Sequence, residues 1–147
     1  MDIVMQPIGM IHSPFTGLDG MPIQASRSEA QGIVELYPEF EAGLADIDGF
    51  SHIHLLYALH KSSGYSLHVK PFLDDQERGL FATRHPRRPN PLGMSIVHLI
   101  SRQGNLLNVE GLDMLDLTPL LDIKPYLPEF DVREDVRKGW YGTRSKQ

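Results

Sequence analysis

Glycine and proline recur along the whole chain, and their spacing limits the structures that the chain can form. The 147 residues include 13 glycines and 11 prolines, which are scattered evenly. Proline breaks the interior of a helix and glycine weakens it, so long helices are disfavoured over most of the sequence. Short β-type runs alternate with turn residues, and helical periodicity is scarce. This pattern predicts an all-β fold, either a barrel or a sandwich.

The β-type runs predict eight strands. They are expected at residues 8–11, 32–37, 51–60, 67–69, 80–83, 95–100, 106–112 and 119–123. A short helix is expected at residues 38–45, because Pro38 suits a first helical turn. Residues 1–131 are predicted to form one domain, and residues 132–147 a short polar C-terminal tail.

The composition excludes several classes of function. The sequence has no cysteine, which excludes disulfides, iron–sulfur clusters and cysteine nucleophiles. Its formal net charge is −5, so any contact with a nucleic acid must be local rather than the effect of a general positive field. No apolar run approaches the ~20 residues of a membrane-spanning helix, and the N-terminus has no signal-type stretch. We therefore expect a cytoplasmic protein without a membrane partner.

Three histidines occupy alternate positions of the predicted strand 51–60, namely His52, His54 and His60. Alternation places them on one face, while the opposite face carries predicted core residues, Ile53, Leu55, Tyr57 and Leu59. The spacing of the first two histidines is one that cupin-type metal sites use, and a third ligand would have to come from His98 or Glu110. Two ligands do not make a metal site, so local hydrogen bonding is preferred and no metal is expected.

A stiff loop rich in arginine precedes the predicted strand 95–100. It contains three arginines and three prolines, namely Arg84, Arg87, Arg88, Pro86, Pro89 and Pro91. Proline fixes φ, so such a loop loses little entropy on binding, and arginine binds carboxylates and phosphates bidentately. This favours a binding loop over the alternative, a charged surface loop whose prolines only end strands.

A second dense segment places two carboxylates around two apolar residues, in the order Asp113, Met114, Leu115 and Asp116. Carboxylates would stabilise a positively charged sulfonium, and the apolar side chains could enclose an adenine. A β-turn with side-chain hydrogen bonds explains the same residues equally well. The glycine-rich fingerprint of the Rossmann fold and the P-loop are both missing, so any adenine-containing ligand is bound in another way.

Taken together, these segments resemble a known family. The matching motifs lie between Ile8 and about Asp131 and read IGMIHSPF (8–15), PIQ (22–24), PEF (38–40), FSH (50–52), FATR (81–84), RPNPLGMS (88–95) and LDIKPYLP (121–128). The sequence is similar to the tRNA N6-threonylcarbamoyladenosine-37 N6-methyltransferase family, known in bacteria as TrmO.

The resemblance implies a compact single-sheet β-barrel and a homodimer. It also implies S-adenosyl-L-methionine as methyl donor and adenosine 37 in the tRNA anticodon loop as acceptor. The family's cofactor positions fall on Pro22, Ile23, Gln24, His60, Lys61, Arg84, Met94, Asp113, Met114, Leu115 and Asp116.

The implied reaction suggests roles for further residues. The acceptor nitrogen carries a carbamoyl group, so its lone pair is delocalised and it needs a base or a group that stabilises its anion. Our candidates are Asp116 as base, with Lys124 or Tyr126 as stabilisers. The candidates for holding the threonyl carboxylate or anticodon-loop phosphates are Arg84, Arg87, Arg88 and Asn90.

Two departures from the family pattern affect these expectations. Leu117 stands where many members have glycine, so the backbone of that turn and the fit of the cofactor there are expected to differ. Bacterial members carry an additional C-terminal domain linked to tRNA engagement, whereas this sequence ends soon after the expected barrel. The alternatives are therefore a methyltransferase for a different, smaller acceptor, a module that binds S-adenosylmethionine without turning it over, and a metal-dependent cupin-like enzyme.

Overall fold

The computed structural model describes residues 1–17, 28–72 and 74–143. The chain divides into two compact units. The first comprises Met1–His60 and Leu92–Leu127, and the second comprises Lys61–Pro91 and Pro128–Gln147. No helix within the described ranges has the length and apolar character needed to cross a membrane. The predicted division into 1–131 and 132–147 stays a prediction.

The described residues contain eight strands. In chain order they are β1 (Gly9–His12), β2 (Gln31–Leu36), β3 (His52–Ala58), β4 (His68–Val69), β5 (Arg78–Gly79), β6 (Leu92–Gln103), β7 (Leu106–Glu110) and β8 (Thr118–Pro125). Six of them close into a barrel in the order β1-β2-β7-β6-β3-β8, and every neighbouring pair is antiparallel. The prediction of an all-β barrel is confirmed.

Alternation along β3 builds one wall of the barrel core. Ile53 and Leu55 are fully buried and Tyr57 is 5% exposed, while Leu59 packs against the same core. The predicted core face of this strand is thus confirmed. The opposite positions, His52 and His54, point away from the core, as the period of two requires.

Strand β6 begins three residues earlier than the sequence pattern predicts, at Leu92. Its inward residues are Ser95, Val97 and Leu99, all buried. Its outward row contains four exposed apolar side chains, Leu92, Met94, Ile96 and Ile100. Because both faces carry apolar residues, polar and apolar positions do not alternate along β6. The strand predicted from the sequence was therefore shorter than the strand in the structure.

The predicted helix at 38–45 is present as a 3-10 helix over Pro38–Leu44. The strand predicted at 80–83 is wrong, because Leu80–Ala82 form a single 3-10 turn. The backbone N–H and the hydroxyl of Thr83 both donate to the Leu80 carbonyl, at 3.0 and 2.7 Å, and close the turn. The prediction treated the apolar Phe81 as a buried strand residue, but its side chain is 74% exposed.

The second unit contains the two-stranded sheet of β4 and β5, a short α-helix, α1 (Pro128–Asp131), and a 3-10 helix over Gly139–Thr143. The Trp140 indole donates to the Ala82 carbonyl at 2.7 Å. The Arg78 guanidinium lies 5.6 Å from the centre of the Trp140 ring and donates to Asp74 at 2.7 Å. The described part of the predicted tail is therefore folded onto residues of this unit.

Candidate functional site

One end of the barrel brings together several of the predicted site residues. Ala58 at the end of β3 pairs with Leu92 at the start of β6, and Tyr57 pairs with Leu120 near the start of β8. The segment 111–117, which connects β7 to β8 and which we call the β7–β8 loop, therefore lies at this end. We call residues 13–15, 57–60, 92–95 and 111–118 the loop end of the barrel.

Hydrogen bonds fix the β7–β8 loop to the start and end of other strands. The Ser13 hydroxyl donates to the Met114 carbonyl at 2.7 Å, and the Ser13 backbone N–H donates to Asp116 Oδ1 at 2.9 Å. On the other side, the Ser28 hydroxyl donates to the Leu112 carbonyl at 2.6 Å. Leu112 and Met114 are buried in the core. The loop is thus a fixed platform, held by side chains from distant parts of the sequence.

Leu117 at the end of this loop adopts φ of 65°, in the left-handed region that favours glycine. Its backbone N–H donates to the Ile11 carbonyl at 2.8 Å, which holds this conformation in place. Leu117 therefore takes up a backbone conformation that suits glycine, at a cost in strain.

A chain of hydrogen bonds connects Asp113 to the barrel interior. The Ser95 hydroxyl donates to Asp113 Oδ1 at 2.6 Å, and the Tyr57 hydroxyl lies 2.7 Å from Ser95 Oγ and 3.5 Å from the same carboxylate oxygen. Burial raises the pKa of the Tyr57 phenol well above its usual range, and the charge of Asp113 adds to that rise. Tyr57 is therefore a protonated hydrogen-bond donor at any physiological pH.

The loop end collects part of the predicted cofactor set. His60 is exposed in the turn that follows β3. Its backbone N–H donates to the Ala58 carbonyl at 2.9 Å. Asp113, Leu115 and Asp116 are half-buried in the β7–β8 loop, whereas Met114 is only 3% exposed. A buried Met114 contributes packing and its carbonyl rather than an exposed surface for an adenine.

Met94, another predicted cofactor position, belongs to the loop end through its place in β6. Its side chain is 59% exposed on the outer face of that strand, opposite in direction to its neighbour Ser95. Lys61 and Arg84 belong to the second unit. Pro22, Ile23 and Gln24 lie outside the described residues.

The three predicted catalytic residues do not converge within one copy of the chain. Asp116 lies at the loop end, just before β8 begins at Thr118. Lys124 lies six residues after Thr118 in β8, which corresponds to roughly 20 Å along an extended strand. Its ammonium is 3.5 Å from Asp122 Oδ2. Tyr126 follows the strand, with its ring centre 5.7 Å from that of His54.

The outward histidines form an aromatic cluster rather than a recognisable metal site. His52 stacks on His98 with ring centres 5.2 Å apart, and Ser51 Oγ lies 2.8 Å from His52 Nδ1. Across residues 1–17, 28–72 and 74–143, no group of three or more histidine, cysteine, aspartate or glutamate side chains could hold a metal ion.

The arginine-rich loop of the second unit is organised by one of its own arginines. Arg88 Nη1 donates to the carbonyls of Thr83 and His85, both at 3.0 Å, and its guanidinium lies 5.8 Å from the centre of the Phe81 ring. Partial burial lowers the pKa of His85, and the charges of Arg87 and Arg88 lower it further. Among the other predicted substrate residues, Arg84, Arg87 and Asn90 are exposed in this loop.

Tyr57 and Ser95 are site residues that the sequence analysis missed. Tyr57 was predicted only as part of the core. Ser95 shares its face of β6 with Val97 and Leu99, so a lone hydroxyl in an inward-facing apolar row was the signal that could have revealed it.

The fold and the site define a small antiparallel barrel protein whose acidic loop closes over one end, a class distinct from the Rossmann nucleotide-binding proteins. Residues 10–132 match the family described as tRNA-methyltransferase O N-terminal domain, and the chain belongs to that family. The resemblance inferred from the sequence motifs is confirmed.

Relatives and a solved structure agree with this membership. A probable S-adenosyl-L-methionine-binding protein of Pyrococcus abyssi is 54% identical over 139 residues, covering 94% of this chain and 76% of that protein. The human tRNA (adenine(37)-N6)-methyltransferase is 32% identical over 143 residues, covering 92% of this chain and 32% of that protein. A crystal structure of TrmO from Pseudomonas aeruginosa matches with a TM-score of 0.80 at 37% identity, over 95% of this chain and 62% of that chain. This chain thus spans less than two thirds of the solved structure.

Proposed function

We propose that this protein binds S-adenosyl-L-methionine at the loop end of the barrel and transfers its methyl group to N6 of adenosine 37 in tRNA that carries the threonylcarbamoyl modification. The observation that carries this proposal is that His60, Asp113 and Asp116 lie at the same end of a barrel of this family. The relatives named as S-adenosyl-L-methionine-binding proteins and as tRNA (adenine(37)-N6)-methyltransferases support it.

The chemistry of the loop end fits such a cofactor. When bound, S-adenosylmethionine supplies an electrophilic methyl group on a positively charged sulfur. Two half-buried carboxylates, those of Asp113 and Asp116, lie in a loop whose backbone is fixed by Ser13 and Ser28. Fixed carboxylates in a partly desolvated site favour a cation without having to reorganise around it.

For the acceptor, Asp116 is the proposed base, because its carboxylate lies at the loop end and is oriented by the Ser13 N–H. Arg84, Arg87, Arg88 and Asn90 are the proposed contacts to the threonyl carboxylate or the anticodon-loop phosphates. The net charge of −5 agrees with recognition by a local group of arginines. The proposed location of this reaction is the cytoplasm.

We also propose a homodimer. The outward row of β6, with Leu92, Met94, Ile96 and Ile100 each at least 40% exposed, is an apolar strip of the kind that marks protein interfaces. Light scattering of the purified protein tests this proposal directly. A monomer at micromolar concentration would contradict it, and a dimer that Ile96→Lys dissociates would support it.

The experiment that tests the proposed activity is methylation of tRNA by the purified protein with S-adenosylmethionine, read out by mass spectrometry of the nucleosides. The substrates are tRNA with threonylcarbamoyladenosine and the same tRNA without it. We expect one added methyl group on the modified nucleoside only. Methylation of both tRNAs would contradict the substrate specificity, and methylation of neither would contradict the proposed acceptor.

The second candidate function is binding or transfer of the same cofactor with a smaller acceptor. The naming of the Pyrococcus abyssi relative for its binding alone, and the acidic net charge, favour it. Calorimetric binding of S-adenosylmethionine without methylation of either tRNA would select this candidate.

A further inference from the structure

The hydrogen-bonded chain of Tyr57, Ser95 and Asp113 lies partly outside the residues to which the family resemblance gives a role. We infer that Tyr57 and Ser95 are positioning residues that hold the Asp113 carboxylate in place. We further infer that the held carboxylate makes the site prefer the sulfonium of S-adenosylmethionine to the neutral thioether of its demethylated product, S-adenosylhomocysteine. This inference rests on the proposed function, because it concerns the cofactor assigned there.

The two hydroxyl donors are held rigidly by paired strands. Tyr57 and Ser95 stand on the inward faces of β3 and β6, and each is 5% exposed. Both strands are paired along their length, so the two hydroxyls are fixed by the barrel and not by the loop. Asp113, in contrast, belongs to the β7–β8 loop. The bonds from the barrel therefore set the position of a loop carboxylate.

The hydrogen bonds of this chain run from Tyr57 through Ser95 to Asp113. The Ser95 hydroxyl has one proton, which it donates to Asp113 Oδ1 at 2.6 Å. Ser95 Oγ then accepts from the Tyr57 hydroxyl at 2.7 Å, and the same phenol lies 3.5 Å from the carboxylate oxygen. The Tyr57 proton is thus donated to Ser95, and the Ser95 proton is donated to Asp113. The arrangement stabilises an ionised carboxylate, which is the form that attracts a cation.

The position of the Tyr57 ring depends on Gly93, its partner across the β3–β6 pair. A Cβ atom at Gly93 would lie 2.1 Å from Tyr57 Cε2, which is too close for any side chain. The ring occupies the space that the glycine leaves open, and the hydroxyl thereby reaches Ser95. Glycine at this position is required by close approach, and it belongs to the same positioning device.

A fixed carboxylate discriminates between two ligands that differ in one charge. The sulfonium gains a Coulomb attraction that the thioether lacks, while the adenine, ribose and amino-acid parts are common to both. Loss of one hydrogen-bond donor lets the carboxylate move toward solvent and weakens that difference. A purely structural role would weaken binding of both ligands equally.

The test is calorimetric binding of S-adenosylmethionine and of S-adenosylhomocysteine to wild type, Tyr57→Phe and Ser95→Ala. We expect the ratio of the two affinities to fall about tenfold in Ser95→Ala, the loss expected for one hydrogen bond to a charged group. Tyr57→Phe keeps the ring and should lower the ratio by a smaller factor. Asp113→Asn should lower the ratio at least as far as Ser95→Ala, with the remaining preference due to Asp116. Tyr65→Phe, at an exposed tyrosine of the second unit, should leave the ratio unchanged.

The outcomes separate the inference from the function on which it rests. If wild type binds neither ligand, both the proposed function and the inference fail. If wild type prefers the sulfonium and the two hydroxyl variants keep that preference, only the inference fails. Equal weakening of both ligands also overturns it, because that is the result of a structural role. Should Ser95→Ala fail to fold, Ser95→Cys replaces the hydroxyl with a somewhat larger thiol, which is a weaker donor, and tests the same ratio.

Discussion

The backbone N–H of Ser13 donates to the carboxylate of Asp116 at 2.9 Å, although 103 residues separate the two in sequence. In return, the Asp116 N–H donates to the Phe15 carbonyl at 2.7 Å. These two hydrogen bonds hold the β7–β8 loop against the residues that follow β1. Asp116 thus has a structural task in addition to the proposed role of base, and the two can be separated by substitution.

We expect Asp116→Asn to fold with nearly unchanged stability and to lose most methyl transfer. The asparagine oxygen still accepts the Ser13 N–H, but an amide cannot take a proton from the acceptor nitrogen. Asp116→Ala removes the acceptor as well and should cost about 1 kcal/mol of unfolding free energy. Urea unfolding and single-turnover methylation measure the two effects. Full activity in Asp116→Asn would remove this residue from the role of base.

Replacing Leu117 with glycine should stabilise the protein. The left-handed conformation at φ of 65° costs a leucine roughly 1–2 kcal/mol, and part of this is offset by the greater freedom of glycine in the unfolded chain. Leu117 is 51% exposed, so little packing is lost. We expect a melting temperature higher by about 2–4 °C. The matched control is Leu67→Gly, also an exposed leucine, which should give no increase; a fall in melting temperature for Leu117→Gly would refute the strain argument.

Gly93→Ala should destabilise the barrel by about 1–3 kcal/mol, because the new methyl group meets the buried Tyr57 ring and forces it or the strands to shift. Gly43→Ala is the control, since a Cβ there meets nothing within 4 Å. Chemical unfolding of both variants checks the difference. Equal stability of the two would mean that the ring moves aside without cost.

The sequence could predict the walls of the barrel better than its end. In β3, the alternate positions Ile53, Leu55 and Tyr57 identify the inward face, with His52 and His54 on the opposite face, and the structure agrees. The register between strands is decided by pairing of residues far apart in sequence, as with Ile11 of β1 and Thr118 of β8. Local patterns contain no information about such pairs, so the arrangement of the site depends on the resemblance and the structure.

The wrong strand at residues 80–83 has a local physical origin. These residues look like a strand because they contain Leu80 and Phe81, but of the two only Leu80 is buried. The roles of Lys124 and Tyr126 as stabilisers stay predictions. Within one copy of the chain, the extended strand β8 places both residues away from Asp116.

Stability of the second unit should fall in acid because of Asp74. The hydrogen bond from Arg78 holds the pKa of this carboxyl below its ordinary value. A lowered carboxyl pKa contributes stability above the unfolded pKa of about 4, and that contribution is lost as pH falls through the folded pKa. The single tryptophan, Trp140, contacts Arg78, so its fluorescence reports unfolding here. Asp74→Asn should flatten this acid dependence, and Asp75→Asn should retain it; the same acid dependence in both variants would exclude Asp74 as its source.

Arg88→Ala should lose RNA methylation by more than tenfold while binding of S-adenosylmethionine is retained. Its guanidinium donates to the carbonyls of Thr83 and His85, so the variant loses both the charge proposed to bind tRNA and the order of the loop. Arg133 is a matched control in the same unit, because its Nη1 also donates to two carbonyls, those of Phe130 and Val132. Methylation assays and calorimetry on both variants give the comparison.

The result with Arg88→Lys separates the two contributions of this side chain. Lysine keeps the charge but loses the planar group that lies against the Phe81 ring. If charge alone matters, Arg88→Lys should methylate tRNA at close to the wild-type rate. Because we expect the order of the loop to matter as well, we expect Arg88→Lys to recover only part of the activity that Arg88→Ala loses. Arg133→Ala should behave as wild type in both assays. An equal loss of methylation in Arg88→Ala and Arg133→Ala would show a general effect on the second unit and remove Arg88 from the proposed substrate contacts.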